Sequence, residues 1–328
     1  MSALAPLLSV RDLKVHFDLP NEGPWPWLPQ RLLKAVDGVS FEVMPGETLG
    51  VVGESGCGKS TLARAMLNLI PATSGSLLWQ GQEMLGARAE VWQGLRKNVQ
   101  MIFQDPLASL DPRMTVGQII AEPLRTHFPR MPGAEVMQKV RAMMAKVGLT
   151  ESQINRYPHE FSGGQCQRIG IARALVLEPK LIICDEPVSA LDVSIQAQII
   201  NLLMELQAQM GLALIFIAHD LAVVKHISQR VMVMYLGRAM ELAGKEAIYR
   251  APGHPYTQAL LSAIPVPDPR LERSKTLALL SGDLPSPINP PSGCSFRTRC
   301  PNALPACAEK RPELHALNAA TQVACDLV

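Results

Sequence analysis

The sequence predicts an α/β protein in which a largely parallel sheet is wrapped by helices. One observation is a strand, a glycine-rich loop and a helix that follow each other from Glu47 as ETLGVVG, ESGCGKS and TLARAMLNLI. A second is a series of apolar runs, VQMIF, KLIICD, LALIFIA and RVMVMYL, which alternate with helical patterns. A third is the stretch from Leu107 to Pro158, which has helical spacing without strand signals. It predicts a helical subdomain over about residues 107–160 that interrupts the α/β core.

The N-terminal part predicts an antiparallel β subdomain. Two alternating patterns, LSVRDLKVHFDL and AVDGVSFEVM, read as strands joined by a long Pro/Trp-rich loop from Pro20 to Pro29. Trp25 and Trp27 in that loop either pack on their own domain or touch a membrane surface or a partner.

The composition changes after residue 264. Seven prolines fall between Pro265 and Pro291, which disfavours a compact helical or sheet domain there. We therefore divide the chain into a domain over residues 1–264 and a Pro-rich linker with a small cysteine-bearing extension over residues 265–328.

Charge and hydropathy exclude some classes of function. The net charge is +2 without a basic block, so nucleic acid is a poor candidate for the partner. The longest apolar run, Leu212 to Ala218, is far short of the roughly 20 residues that cross a bilayer. The N-terminus lacks the features of a signal peptide, so we expect a cytoplasmic protein with reduced cysteines.

The loop GESGCGKS matches the phosphate-loop pattern G-x-x-x-x-G-K-[ST] between a strand and a helix. In this pattern backbone N–H groups surround phosphate oxygens, Lys59 reaches the β- and γ-phosphates and Ser60 offers its hydroxyl to Mg²⁺. We expect Cys57, beside Lys59 and a helix N-terminus, to have a lowered pKa. The predicted nucleotide-contacting residues here are Gly53, Glu54, Ser55, Gly56, Cys57, Gly58, Lys59, Ser60 and Thr61.

The strand LIICDEP ends in two carboxylates. Asp185 is predicted to hold the Mg²⁺ shell, and Glu186, one residue beyond the strand, to orient or deprotonate an attacking water. An Asp-Glu pair after an apolar strand would by itself more often be a solvated strand end. Together with the phosphate loop upstream, the pair favours the interpretation as a catalytic and magnesium site.

The motif FSGGQ, Phe161 to Gln165, followed by the helix CQRIGIARALVL, resembles the signature LSGGQ of ABC ATPases, with Phe in place of Leu. Ser162, Gly163, Gly164 and Gln165 would form an anion nest at a helix N-terminus. The resemblance implies that this nest caps the γ-phosphate of ATP bound to a second ATPase subunit. It also implies the fold of the ABC ATPase nucleotide-binding domain.

Other positions match that family in order along the chain. The resemblance gives Gln104 a role in sensing Mg²⁺ and the γ-phosphate, and places Asp192, in SALD, at the dimer interface. His219, after the strand LALIFIA, matches the histidine that contacts the γ-phosphate, although a lone histidine would more often be structural. Phe17 lies where an aromatic ring stacks on adenine, with a core position as its alternative.

Longer segments narrow the resemblance. LKAVDGVSFEV, MIFQDPLASLDPRMT, HPYTQALLSAIP and LPSPINPPSGCSFRTRCP resemble the ATP-hydrolysing subunits of bacterial oligopeptide importers, with those of dipeptide importers close behind. The implied partners are a homologous ATPase subunit, two membrane subunits and an external peptide-binding protein, with the chain at the cytoplasmic face of the membrane. A soluble ABC ATPase acting on ribosomes or DNA, and an exporter ATPase, are the alternatives.

Four cysteines are concentrated in the extension: Cys294, Cys300, Cys307 and Cys325. In a reduced compartment such a set predicts metal ligation rather than disulfides, and both Zn²⁺ and a [4Fe–4S] cluster accept four thiolates. Free or crosslinked thiols are a further alternative. The resemblance to peptide-importer ATPases favours the cluster. We expect it to fold the chain from about Pro287 onward, in an extension that lies beyond a linker from Lys59.

Overall fold

A computed structural model describes residues 5–20, 31–265, 268, 270, 282–318 and 320–328. The chain divides into two compact units. The helical unit contains Val43–Thr48 and Gly86–Ile217, together with the N-terminal residues before Leu8. The phosphate-loop unit contains Leu8–Glu42, Leu49–Leu85 and Ala218–Val328.

The predicted strands are present in the predicted order. The strands are β1 Leu8–Leu19, β2 Arg31–Val43, β3 Thr48–Val52, β4 Ser74–Trp79, β5 Gln82–Glu83, β6 Val99–Ile102, β7 Leu181–Asp185, β8 Ala213–Ala218, β9 Arg230–Tyr235, β10 Arg238–Gly244, β11 His315–Asn318 and β12 Thr321–Val323. The structure adds the strands β4, β5, β10, β11 and β12 to those that were predicted. The α-helices are α1 Lys59–Met66, α2 Ala89–Asn98, α3 Val116–His127, α4 Gly133–Lys146, α5 Gly163–Leu175, α6 Val193–Met210, α7 Leu221–Ile227, α8 Lys245–Arg250 and α9 Pro255–Ser262.

The helical unit has three parallel strands in the order β8-β7-β6. All residues of β7 and β8 are buried, as expected for apolar strands covered on both faces. Helices α3 and α4 lie within the region predicted as helical, and α3 begins with a capping box between Thr115 and Gln118.

The phosphate-loop unit contains two groups of strands. One has the order β2-β1-β4-β5, in which β4 is antiparallel to both β1 and β5 and Leu8 of β1 pairs with Trp79 of β4. The other runs in the order β11-β12-β10-β9-β3, with β3 parallel to β9 and the remaining pairs antiparallel. The C-terminal strand β12 therefore pairs with β10, Glu241 lying opposite Val323.

This architecture confirms the predicted α/β class with an antiparallel β part and additional helices. The pairing of β12 with β10 is a feature that the sequence did not predict. Trp25 and Trp27, and much of the Pro-rich linker, lie outside the described residues. Within the described part of the chain, no helix is both long enough and apolar enough to cross a bilayer.

Candidate functional site

The phosphate loop, Gly53 to Ser60, connects β3 to α1 within the phosphate-loop unit. Gly58 is the N-cap of α1 and has a φ of 103°. A Cβ atom at this position would lie 2.0 Å from the carbonyl oxygen of Ala35. The glycine is therefore required both by its left-handed backbone and by the close approach of the backbone of strand β2. No side chain of the described residues caps the N-terminus of α1 with a hydrogen bond. The backbone N–H groups of a helix N-terminus can bind an anion.

Lys59 is almost fully buried, with 4% of its surface exposed. Its Nζ donates to the carbonyl oxygens of Gly53, at 2.7 Å, and Glu54, at 3.0 Å. The first residues of the loop thus hold the ammonium group in place. A buried, oriented ammonium is the group that the predicted contact with phosphate oxygens needs.

Cys57 corrects an expectation. The thiol is 1% exposed, and burial raises its pKa, although Lys59, with Nζ 3.7 Å from Sγ, acts in the opposite direction. The expected lowered pKa was wrong because desolvation of the thiolate outweighs the nearby positive charge. Ser55 and Gly56, in contrast, are exposed at the tip of the loop.

The helical unit brings the predicted carboxylates and Gln104 together. Asp185 ends β7 and is 1% exposed. Glu186 follows with a φ of 46°, and its N–H donates to the carbonyl oxygen of Ile217 at 3.1 Å. The Nε2 of Gln104 donates to Glu186 Oε2 at 3.0 Å. Glu186 and Gln104 therefore form one hydrogen-bonded pair at the ends of neighbouring parallel strands.

The SGGQ residues begin helix α5. Ser162 and Gln165 form a capping box, in which Ser162 Oγ accepts from the Gln165 N–H at 3.4 Å. A Cβ atom on Gly164 would lie 2.4 Å from Ile195 Cγ2, so the glycine permits close packing against α6. Asp192 caps α6, and its pKa is lowered mainly by the hydrogen bond from the Ile195 N–H. SGGQ and SALD thus mark the N-termini of two helices in contact.

The remaining predicted residues lie in the phosphate-loop unit. Phe17 is half-buried on β1, which is compatible with adenine stacking and with a core position. His219 is exposed immediately after β8, and Ser60 and Thr61 are partly exposed in the first turn of α1. The adenine, γ-phosphate and magnesium roles of these residues stay predictions.

Sequence analysis missed two residues that hold the phosphate loop. Arg299 donates two hydrogen bonds to the Glu54 carboxylate, and Tyr256 Oη accepts from the Glu54 N–H. The sequence placed the extension beyond a linker from Lys59 and did not predict that the extension contacts the phosphate loop. A separation of 245 residues along the chain leaves no local pattern for the contact with Arg299.

Of the four cysteines of the extension, Cys294, Cys300 and Cys307 are half-buried and Cys325 is buried. The Cys294 N–H donates to the Cys307 carbonyl oxygen at 2.8 Å. Burial raises the pKa of Cys294, and the charges of Cys307, Cys300 and Cys325 add to that effect. Among the described residues, no group of three or more His, Cys, Asp or Glu is arranged to hold a metal ion. Metal ligation by these thiols stays a prediction.

A phosphate loop, a strand ending in Asp-Glu and an SGGQ helix start together define an ATPase of the ABC class. Comparison with known proteins agrees with this assignment. Residues 36–189 match the family profile described as ABC transporter, and residues 240–307 match the C-terminal region of oligopeptide and dipeptide transporters.

Individual relatives are similar over nearly the whole chain. The oligopeptide transport ATP-binding protein OppF of Escherichia coli K12 is 67% identical over 308 residues, which are 94% of this chain and 92% of that protein. OppF of Haemophilus influenzae is 62% identical over 97% of this chain and 96% of its own. The solved structure of CbiO1 from Clostridium perfringens, part of an ABC transporter complex, superposes with a TM-score of 0.63 at 27% identity. It covers 75% of this chain and 91% of CbiO1.

The chain therefore belongs to the ABC transporter ATPase family, among the oligopeptide transport ATP-binding proteins.

Proposed function

We propose that this ATPase powers the import of oligopeptides through a membrane transporter. The observation that carries the proposal is the match of residues 240–307 to the C-terminal region of oligopeptide and dipeptide transporters. The 67% identity to an oligopeptide transport ATP-binding protein supports the same substrate class.

The proposed assembly contains this chain and a homologous ATPase subunit of the OppD type. Two transmembrane permease subunits and an external peptide-binding protein complete it, and the chain acts as a peripheral protein at the cytoplasmic face of the membrane. Each nucleotide motif occurs once in the sequence, so one chain provides one set of parts for an ATP site shared between two subunits. ATP would bind between the phosphate loop of one subunit and the SGGQ motif at the N-terminus of α5 in the other.

Hydrolysis in the proposed site depends on residues with separate tasks. Lys59 would neutralise the β- and γ-phosphates, Glu186 would orient or deprotonate the attacking water, and His219 would contact the γ-phosphate. The observed hydrogen bond from Gln104 to Glu186 supports this role because it orients the carboxylate. The bond holds one of the two carboxylate oxygens, Oε2.

The residues predicted for magnesium fit that ion chemically. Ser60, Gln104 and Asp185 offer hydroxyl, amide and carboxylate oxygens, the donor types that Mg²⁺ prefers. Asp185 is the last residue of β7 and is 1% exposed. Magnesium would neutralise phosphate charge in the transition state of phosphoryl transfer.

We also propose that Cys294, Cys300, Cys307 and Cys325 ligate a [4Fe–4S] cluster, with Zn²⁺ as the alternative. The hydrogen bond from the Cys294 N–H to the Cys307 carbonyl oxygen, at 2.8 Å, brings two of the four residues together and supports the proposal. Four thiolates are a ligand set that both a [4Fe–4S] cluster and Zn²⁺ accept.

Reconstitution tests the proposed transport function. The chain is coexpressed with its candidate ATPase partner and the two membrane subunits, and the purified complex is placed in liposomes with the peptide-binding protein. We expect oligopeptides to stimulate ATP hydrolysis and to accumulate inside in an ATP-dependent manner. A complex that hydrolyses ATP but transports no peptide with any tested binding protein would contradict the substrate class while leaving the ATPase assignment intact.

A further inference from the structure

Arg299 joins the C-terminal extension to the phosphate loop. Its Nη1 donates to Glu54 Oε2 at 2.6 Å and its Nη2 donates to Glu54 Oε1 at 3.0 Å, a two-bonded ion pair. The side chains of Arg299 and Glu54 are 8% and 26% exposed. Such a partly buried, bidentate pair fixes both the position and the orientation of the carboxylate.

Glu54 is held on three sides. Its carboxylate accepts from Arg299, its N–H donates to Tyr256 Oη at 3.0 Å, and its carbonyl oxygen accepts from Lys59 Nζ at 3.0 Å. Arg299 and Tyr256 both belong to the region shared with oligopeptide and dipeptide transporters. The peptide unit that orients the phosphate-binding lysine is therefore held by residues of the peptide-transporter region.

The position of Arg299 is itself supported by aromatic packing. Phe296 is fully buried, and its ring centroid lies 5.4 Å from that of Tyr235 and 5.3 Å from that of Tyr256. The Arg299 guanidinium lies over the Tyr235 ring, 5.9 Å from its centroid. Because Phe296 and Arg299 are in one turn, with the Arg299 N–H donating to the Phe296 carbonyl oxygen, the aromatic anchor holds the arginine in place.

The charges of Arg299 and Glu54 predict how their contact affects ATP binding. Glu54 places a negative charge in a loop that must bind a polyanion, and Arg299 neutralises it at contact distance. Without the arginine, the unpaired Glu54 carboxylate would repel the nucleotide. The loop would also lose a restraint on Glu54, whose carbonyl oxygen accepts a hydrogen bond from Lys59 Nζ. Both effects weaken ATP binding.

We propose that Arg299 is a positioning residue for the phosphate loop, which acts through Glu54 so that the C-terminal extension sets the affinity of the ATP site. The inference rests on ATP binding by this chain and is independent of which substrate is transported. The C-terminal extension would thus take part in nucleotide binding.

The test measures nucleotide affinity in the full-length chain and the ATP dependence of hydrolysis in the complete transporter. For Arg299→Met we expect the dissociation constant of a fluorescent ATP analogue, and the KM for ATP, to rise about tenfold or more, with kcat at saturating ATP within about twofold. Arg299→Lys should recover part of the affinity because it keeps the charge but not the paired hydrogen bonds.

Arg297→Met is the matched control. Arg297 lies in the same turn, and its guanidinium donates to the Ser292 carbonyl oxygen at 2.9 Å and to Ser292 Oγ, within the extension. We expect an unchanged KM for ATP. An equal rise in KM for Arg297→Met and Arg299→Met would show that any disturbance of the extension has this effect, and would overturn the specific role of Arg299.

A double-mutant cycle with Glu54→Gln keeps the test decisive if Arg299→Met disturbs the extension. If Arg299 acts through Glu54, adding Arg299→Met to Glu54→Gln should change the dissociation constant by less than about twofold. A further tenfold loss in that background, or an unchanged affinity in Arg299→Met alone, would refute the proposal.

Discussion

Glu186 has a left-handed backbone, with a φ of 46°, which is uncommon for a residue with a side chain. The N–H bond to Ile217 and the side-chain bond to Gln104 hold it there. Strained backbone that is held by surrounding contacts is typical of functional positions. The geometry is therefore in agreement with the catalytic role proposed for this carboxylate.

Glu186→Gln should retain ATP binding and lower the hydrolysis rate of the assembled transporter by about 100-fold or more, because the amide cannot accept a proton from water. Lys59→Ala should instead weaken nucleotide binding. Equilibrium binding and steady-state ATPase assays separate the two effects. Glu135→Gln, an exposed position on α4, is the control that should change neither. Normal turnover in the Glu186→Gln complex would move catalysis to the partner subunit's carboxylate.

Cys57 should react slowly with N-ethylmaleimide in the native protein. Burial limits access and raises the thiol pKa, so less thiolate is present near pH 7 than for an ordinary cysteine. Labelling is followed by mass spectrometry and compared with an exposed thiol two residues away, Ser55→Cys in a Cys57→Ser background. We expect labelling of Cys57 to be at least about tenfold slower. Equal rates would show that the loop opens readily in solution.

At the scale of elements, apolar strands could be predicted and exposed ones could not. The runs that became β7, β8 and β9 are buried and bounded by polar residues, so composition alone identifies them. β11 is four exposed residues, and β12 is three residues whose pairing with β10 is set by tertiary contacts. The motifs identified the candidate site residues, but the burial of Cys57 and the contact of Arg299 depend on packing between distant segments.

Helix α9 carries Tyr256, and the residue that caps its N-terminus is His254. His254 is 1% exposed, and its Nδ1 accepts from the Tyr256 N–H at 3.0 Å, so the neutral imidazole caps the helix. Burial lowers the pKa of His254 to about 4, against an opposing hydrogen bond to Ala324. Protonation at Nδ1 would remove the capping acceptor.

This cap predicts a loss of stability in acid. Below about pH 6.5 the unfolded chain protonates His254 while the folded chain does not, so the free energy of unfolding should fall between about pH 6.5 and 4, by an amount on the order of 3 kcal/mol. Urea unfolding at several pH values measures it. His254→Asn keeps a capping acceptor without titrating, so its unfolding free energy should depend less on pH. The exposed His315→Asn is the control. Equal pH dependence in His254→Asn and the native chain would contradict the assignment.

For the whole molecule, the phosphate-loop unit combines two kinds of sequence. The loop and α1 provide a nucleotide site common to ABC ATPases, whereas the region after β10 carries the peptide-transporter match and the four cysteines. Phe296, Arg299 and β12 join the second part to the first. A change in the fold of the extension would therefore reach the phosphate loop through direct contacts.

The described residues of the extension include few large buried apolar side chains, Phe296 being one of them, so the entropy cost of ordering the extension needs a further source of compensation. Ligation by four thiolates would supply it. We expect anaerobically purified protein to be brown, with about four irons per chain. Cys300→Ser should lose the colour and the protease resistance of residues 282–328, whereas Cys166→Ser, a buried thiol on α5, should lose neither.

The alternatives give different results in the same experiment. A colourless anaerobic preparation with about one zinc per chain would refute the cluster and keep ligation as the source of folding energy. A protease-resistant extension without any metal would refute both, and would leave the packing of Phe296 and the Arg299–Glu54 pair as the contacts that order the extension. If ligation does order it, Cys300→Ser should also raise the KM for ATP, because Arg299 precedes Cys300 directly and would lose its position against Glu54.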